Sequence, residues 1–135
     1  MAPELGEIIH NKKKAEPLQN FDTVIFLGDM NYRISTSDSE IVEYLMRNNQ
    51  WDELVKNDQL YLEKKIKRVA DGYSEGPINF APTFKFKAKT DNYNFKREPS
   101  WTDRILYRSN NKILKLMNYD SNNLVNMSDH RPVFA

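Results

Sequence analysis

The stretch Phe21-Asp22-Thr23-Val24-Ile25-Phe26-Leu27-Gly28-Asp29-Met30-Asn31-Tyr32-Arg33 decides the fold. From Phe21 to Leu27 apolar residues run almost unbroken, the pattern of a strand buried on both faces. Gly28 then lets the chain turn sharply as the strand ends. Asp29 and Asn31 follow, and side chains two apart in an extended segment point the same way. One carboxylate and one amide thus face a common space, a pair suited to orienting a water and donating to a phosphoryl oxygen. The same pair also suits an Asx turn, with both side chains bonded to local backbone. Tyr32 and Arg33 read as structural, a packed ring and an ion pair.

Downstream, Ser37-Asp38-Ser39-Glu40 fits a capping box, in which a Ser hydroxyl accepts a first-turn N–H and Glu40 reaches back. A helix follows with Ile41, Val42, Leu45 and Met46 on one face and Glu43, Arg47 and Asn48 away from it. Trp51 to Val55 resumes it after a break at Asn48-Asn49. Asp58 to Val69 reads as a second helix, packed through Leu62, Ile66 and Val69, with Glu63, Lys64, Lys65 and Lys67 forming a solvated face. Asp71 to Pro77 is loop by its Gly and Pro content. Thr83 to Lys87 alternates with period two and predicts a short strand. Thr90 to Lys96 is polar and reads as loop. Trp101 to Tyr107 and Ile113 to Tyr119 read as strands joined by the turn Ser109-Asn110-Asn111, and His130 to Phe134 as a closing strand. Strands and amphipathic helices alternate, so the class is α/β or α+β. Residues 1–20, with Pro3, Gly6, Pro17 and few apolar side chains, read as a flexible leader or loop remnant. Lys12-Lys13-Lys14 within them reads as a solvated loop, because firm attachment to acidic lipid takes larger basic clusters.

Composition sets limits. The chain has 135 residues, 20 Lys plus Arg against 19 Asp plus Glu, and a net charge of +1. No global field draws it to nucleic acid or an anionic membrane, so any attraction for polyanions must be local. With no cysteine, disulfides and thiolate zinc sites are out. The longest purely apolar run, Val24 to Leu27, falls far short of the ~20 residues that span a bilayer. Met1-Ala2-Pro3-Glu4 lacks a basic-then-apolar signal pattern. A cytoplasmic protein is the expectation, with membrane surfaces as a further place of work.

Two further stretches carry chemistry: Arg97-Glu98-Pro99-Ser100-Trp101-Thr102-Asp103-Arg104-Ile105-Leu106 and Ser128-Asp129-His130-Arg131-Pro132. Asp103 interrupts an otherwise apolar strand, where a carboxylate is costly unless paired. Its partner could be Arg104, a loop N–H, or His130, whose ring a carboxylate would fix in one tautomer. Of the two histidines, His10 has no distinguishing neighbours, whereas His130 stands between Asp129 and the rigid Pro132. An oxygen-rich site without thiolates suits Mg²⁺.

Taken in order, Gly-Asp-x-Asn-Tyr-Arg after an apolar strand, Pro82-Thr83-Phe84-Lys85-Phe86, Arg97 to Leu106, and Ser128 to Val133 resemble the inositol polyphosphate 5-phosphatases of the endonuclease/exonuclease/phosphatase superfamily. The resemblance runs from about Phe21 to Ala135. It implies a four-layer α/β/β/α sandwich of the DNase I-like type, of which residues 21–135 would be the C-terminal half of a catalytic domain. The N-terminal half would then be a structural partner, bringing a magnesium-binding glutamate, an asparagine and a second histidine. Glu4, Glu7, Glu16 and His10 sit in no strand pattern and offer no counterpart.

The resemblance further implies that Asp29 positions or deprotonates the attacking water and Asn31 contacts the transition state. It pairs Asp103 with His130, aims His130 at the scissile phosphate, and places Asp129 in the environment of Mg²⁺. Phe84, Lys85, Lys96 and Arg97 would clasp the phosphate beside the scissile one. Phe84 departs from the usual tyrosine, and Phe95 stands where a lysine is common. The expected activity is hydrolysis of the 5-phosphate of phosphoinositide lipids or soluble inositol phosphates, with peripheral membrane contact and no nucleic-acid partner. A nuclease-like or other phosphodiesterase activity, and a non-catalytic fragment that binds inositol phosphates, are the alternatives.

Overall fold

In the computed structural model, residues 16–36 and 38–135 are described. Most of the expected leader, including His10 and the three lysines, lies outside them, as does Ser37.

Two long strands, β1 (Thr23–Asp29) and β3 (Asp103–Ser109), form the frame. They pair antiparallel over seven residues, from Thr23↔Ser109 to Asp29↔Asp103. The short β2 (Ser74–Glu75) joins the other side of β3, giving the order β1-β3-β2. A second, two-stranded sheet joins β4 (Asp120–Ser121) to β5 (Val133–Phe134). Three short helices, α1 (Ser39–Arg47), α2 (Trp51–Leu54) and α3 (Gln59–Lys65), separate β1 from β2.

The core lies where α1 and α2 meet the loops before β3. Val42, Leu45, Met46 and Leu54 pack with Ile34, Ile78, Phe80, Trp101 and Tyr119. Trp101 is fully buried, its indole N–H donating to the Phe80 carbonyl at 3.0 Å. The Phe80 and Tyr119 rings meet edge to face at 5.2 Å. Behind this core a buried charge network crosses from helix to sheet. Arg104 reaches Asp58 at 2.8 Å and Glu75 at 2.6 and 3.0 Å, and the Tyr119 hydroxyl also donates to Glu75 at 2.8 Å. Asp58 accepts a second hydrogen bond, from Tyr61 N at 2.8 Å, and so caps α3. Burial alone would lower the Arg104 pKa, but hydrogen bonds and charge from Glu75 and Asp58 hold it above its ordinary value.

Several expectations are corrected. β1 is open on both faces, with Ile25 53% and Leu27 65% exposed on one and Phe26 39% exposed on the other, because no described segment covers it. The helix cap is Asp38, whose carboxylate accepts from Glu40 N at 3.1 Å and Ile41 N at 3.2 Å. An aspartate reaches those donors as a serine would and adds a charge that the helix N-terminus favours. Asp38→Ala should cost about 1 kcal/mol, measurable as a lower urea midpoint. Ile41 is exposed rather than packed.

The third helix stops at Lys65, and Lys67 and Ala70 adopt left-handed backbone. Its buried residue is Leu60, while Leu62 and Ile66 are exposed: periodicity located the helix but not the side facing inward. Ile113 to Tyr119 forms no strand, because no described segment pairs with it. Thr83 to Lys87 is tied by isolated bridges, Phe84 to Ser100 and to His130, and Phe86 to Tyr93. The closing strand shrinks to Val133–Phe134.

Candidate active site

The β1–β3 ladder builds the site by ending where it does. Its last pair sets Asp29 opposite Asp103, two carboxylates whose repulsion a strand pair tolerates poorly without a compensating group. Gly28 turns the chain at this end with φ +144°, a backbone conformation that side chains rarely adopt. Met30 N then donates to Thr102 O at 2.7 Å, so the segment stays alongside the start of β3.

His130 arrives from the far end of the sequence through its bridge with Phe84. Its Nδ1 lies 2.7 Å from Asp103 Oδ2. Of the three candidate partners for Asp103, the histidine is therefore the one it meets, while Arg104 turns the other way into its buried network. The Thr102 hydroxyl donates to the same Asp103 oxygen at 2.9 Å, and the Thr83 hydroxyl lies 3.4 Å from it. A carboxylate at Nδ1 keeps the proton there and leaves Nε2 as the ring's working end. A ligand atom from each of Asp29, Asp103 and His130 lies within 4.8 Å of the others. Three side chains far apart in sequence thus share one small volume.

Asn31 follows the turn reading, and its left-handed backbone replaces the extended geometry expected to aim it the same way as Asp29. Its backbone N–H donates to Asp29 Oδ1 at 2.9 Å, an Asx turn in a left-handed residue (φ 58°). Its side-chain oxygen accepts from the Arg33 guanidinium, which leaves the amide NH₂ as the free end. Arg33 also lies over the Phe84 ring at 4.6 Å, and the Phe84 and His130 rings are 4.5 Å apart. Among the described residues Arg33 makes none of the ion pairs expected of it; it bonds an amide and faces a ring. Its place two residues after Asn31 was the signal for the amide bond, while nothing local signals the ring.

The remaining predicted residues fall into two groups. Lys85 Nζ lies 3.9 Å from Asp129 Oδ2, next to the His130 turn. Asp129 is outside the Asp29–Asp103–His130 cluster and otherwise contacts the Ser128 hydroxyl at 3.4 Å. Lys96 and Arg97 are exposed on a turn, and among the described residues neither side chain bonds a site residue. Beside Asp103 and His130 opens a cleft of about 350 Å³, whose apolar wall includes Leu27, Ile105, Val125, Met127 and Val133.

The donor set can hold a divalent cation. His130 Nδ1 is already engaged by Asp103, so the carboxylate oxygens are the donors left for a hard ion. Such an ion would also relieve the repulsion across the last strand pair.

The chain matches the model of Endonuclease/Exonuclease/phosphatase family 2 over residues 3–135. It is 42% identical over 122 residues to type I inositol polyphosphate 5-phosphatase 1 of Arabidopsis thaliana, covering 86% of this chain and 20% of that protein. Synaptojanin of Caenorhabditis elegans is 42% identical over 123 residues, covering 87% and 11%. The chain thus spans a fifth or less of the length of these curated relatives. Among solved structures, the inositol polyphosphate 5-phosphatase domain of SPsynaptojanin, in complex with inositol (1,4)-bisphosphate and calcium ion, aligns with TM-score 0.81 and 38% identity, over 90% of this chain and 35% of that one. Cimex nitrophorin, solved as its ferrous NO complex, aligns with TM-score 0.76 and 36% identity, over 83% and 40%. The strand-and-helix arrangement described above is accordingly a part of the DNase I-like fold of such a domain. On these matches the chain belongs to Endonuclease/Exonuclease/phosphatase family 2, and the relatives it meets there are inositol polyphosphate 5-phosphatases and synaptojanin.

Proposed function

We propose that this chain carries the phosphate-handling part of a Mg²⁺-dependent phosphatase that removes the 5-phosphate from phosphoinositides or inositol polyphosphates. The observation that carries the reading is the meeting of Asp29, Asp103 and His130 within 4.8 Å, with Lys85 on the adjoining turn.

In this reading the Asp103–His130 bond holds the imidazole so that Nε2 donates to a phosphoryl oxygen as negative charge builds on it. Asp29 orients the attacking water and takes its proton. Water adds to phosphorus as the ester bond breaks, and the inositol oxygen leaves as an alkoxide that takes its proton from solvent, to which Asp29 returns the one it removed. Asn31, with its oxygen held by Arg33, presents NH₂ to the same phosphoryl group. Lys85 reads a phosphate next to the scissile one by charge-assisted contact. Mg²⁺ would be held by the carboxylate oxygens of Asp29 and Asp103, with Asp129 in its wider environment, and would supply charge neutralisation at the phosphoryl oxygens. The remainder of the catalytic domain, N-terminal to these residues, completes the magnesium shell and covers the open face of β1.

The test is phosphate release from phosphatidylinositol 4,5-bisphosphate and inositol 1,4,5-trisphosphate, with Mg²⁺ or chelator, by this chain and by one extended N-terminally. Mg²⁺-dependent turnover is expected in the extended chain and little in the 135 residues alone. An extended chain that releases no phosphate overturns the reading, as does turnover indifferent to chelator. Lys85→Ala should raise KM and weaken the preference for a 4-phosphate, with a smaller change in kcat, because its ammonium contacts ground and transition states alike.

A second reading is a non-catalytic domain that binds inositol phosphates. The likeness to Cimex nitrophorin favours keeping it, since that protein's ferrous NO complex shows this fold in other service. Binding of inositol 1,4,5-trisphosphate with no turnover in the extended chain would select it. A nuclease reading gains no support from a net charge of +1.

A further inference from the structure

The residue after His130 is unusual in its surroundings. The Arg131 side chain is 1% exposed, yet the carboxylate it pairs with, Asp91 at 3.6 Å, is 85% exposed. A buried guanidinium with so weak a counter-charge is costly. Its compensation comes from two backbone carbonyls, Ser128 O at 3.3 Å and Thr90 O in a shorter bond, and from the Phe86 ring 3.8 Å away. Among the described residues its Nε has no partner.

Those two carbonyls belong to different parts of the site. Ser128 opens the turn that carries Asp129 and His130. Thr90 lies at the tip of the loop that follows Lys85. Between them the chain has no regular ladder: Arg131 N donates to Thr83 O at 2.8 Å, Phe86 N donates to Asp129 O at 2.9 Å, and Phe84 bridges His130. The distance from Lys85 to Asp129 and the packing of Phe84 on His130 both depend on this short register. A planar guanidinium fixes the angle between two acceptors, which a lysine ammonium on a flexible stem does not.

We propose that Arg131 is a positioning residue that locks the segment bearing Phe84 and Lys85 onto the His130 turn, and so sets recognition of a phosphate neighbouring the scissile one. This rests on the phosphatase reading above. It explains why a charge is buried where an apolar side chain would fill the space: the guanidinium contributes register rather than stability.

The test compares Arg131→Met and Arg131→Lys with the parent in the N-terminally extended chain. The substrates are inositol phosphates bearing the 5-phosphate with and without a neighbouring 4-phosphate. Methionine keeps the packing against Phe86, so the urea midpoint should change little, as buried charges replaced by apolar groups often show. Selectivity for the 4-phosphate substrate should fall ~10- to 100-fold, the scale of an ångström's misplacement, through KM more than kcat, and lysine should not restore it. Amide hydrogen exchange should quicken at Phe86 and Arg131 but not along β3. Unchanged selectivity, an equal loss on both substrates, or full rescue by lysine would overturn the proposal. A parent chain inactive on both substrates fails the phosphatase reading itself, and this inference with it.

Discussion

His130→Ala in the N-terminally extended chain should lower phosphate release at least ~10²-fold, the usual loss when a general acid–base or charge-stabilising group is removed. The imidazole is fixed by one strong contact, Asp103 Oδ2 at 2.7 Å, and that carboxylate is steadied by the Thr102 hydroxyl at 2.9 Å. Asp103→Asn should therefore act in the same direction, because an amide can present its NH₂ to Nδ1 and stabilise the wrong tautomer. Asp103→Asn keeps a hydrogen-bonding partner and should change stability little, whereas His130→Ala leaves the part-buried Asp103 carboxylate without its imidazole and should cost about 1–3 kcal/mol. Initial rates and denaturation curves on the same samples check the pair of statements. An enzyme indifferent to His130→Ala would end the site assignment.

Arg104→Ala should destabilise the fold by about 3–5 kcal/mol, the cost of breaking a buried ion pair by removing one partner. Arg104 and Asp58 are almost completely buried, and Glu75 nearly so. Without the guanidinium two carboxylates would be left facing each other inside the protein. The loss has a pH signature. Burial already pushes the Asp58 carboxyl above its ordinary value, against the opposing charge and hydrogen bond of Arg104. Removing Arg104 leaves only the Tyr61 N–H to oppose the raising influence. A carboxyl whose folded pKa exceeds its unfolded one binds its proton more tightly when folded, so stability falls as pH rises through that window. The deficit of Arg104→Ala should thus be largest at neutral pH and shrink on acidification towards the Asp58 pKa. A urea midpoint series across pH measures it, and a deficit that is flat or grows on acidification contradicts the account.

Much of this was legible in the sequence because some signals are local. The run Val24 to Leu27 and the apolar-rich stretch Trp101 to Tyr107 located the two long strands, the second about two residues early, and the apolar spacing of Val42, Leu45 and Met46 located α1. The clustering of Asp29, Asp103 and His130 was legible through the family resemblance, which paired Asp103 with His130 and set Asp29 at the same reacting group. Other features depend on partners that no local pattern reveals. Leu60 rather than Leu62 faces inward because Asp58, at the cap, is tied to Arg104. Ile113 to Tyr119 has strand-forming residues but no described neighbour to bond. The roles of Arg33 and Arg131 lie in contacts with Phe84 and Phe86, distant in sequence, which spacing cannot show.

The bare flank of β1 has a practical meaning for anyone who handles the chain alone. Among the described residues, one edge of that strand offers a row of unspent N–H and C=O groups, and Ile25 and Leu27 stand out from it into water. A second molecule can satisfy both needs by lying alongside, and so can a third. Solubility in isolation is therefore set by this strand more than by the site. Ile25→Lys, by making strand addition unfavourable, protects the preparation without touching the phosphate-handling residues, whereas Leu27 lines the cleft beside His130 and is better left in place.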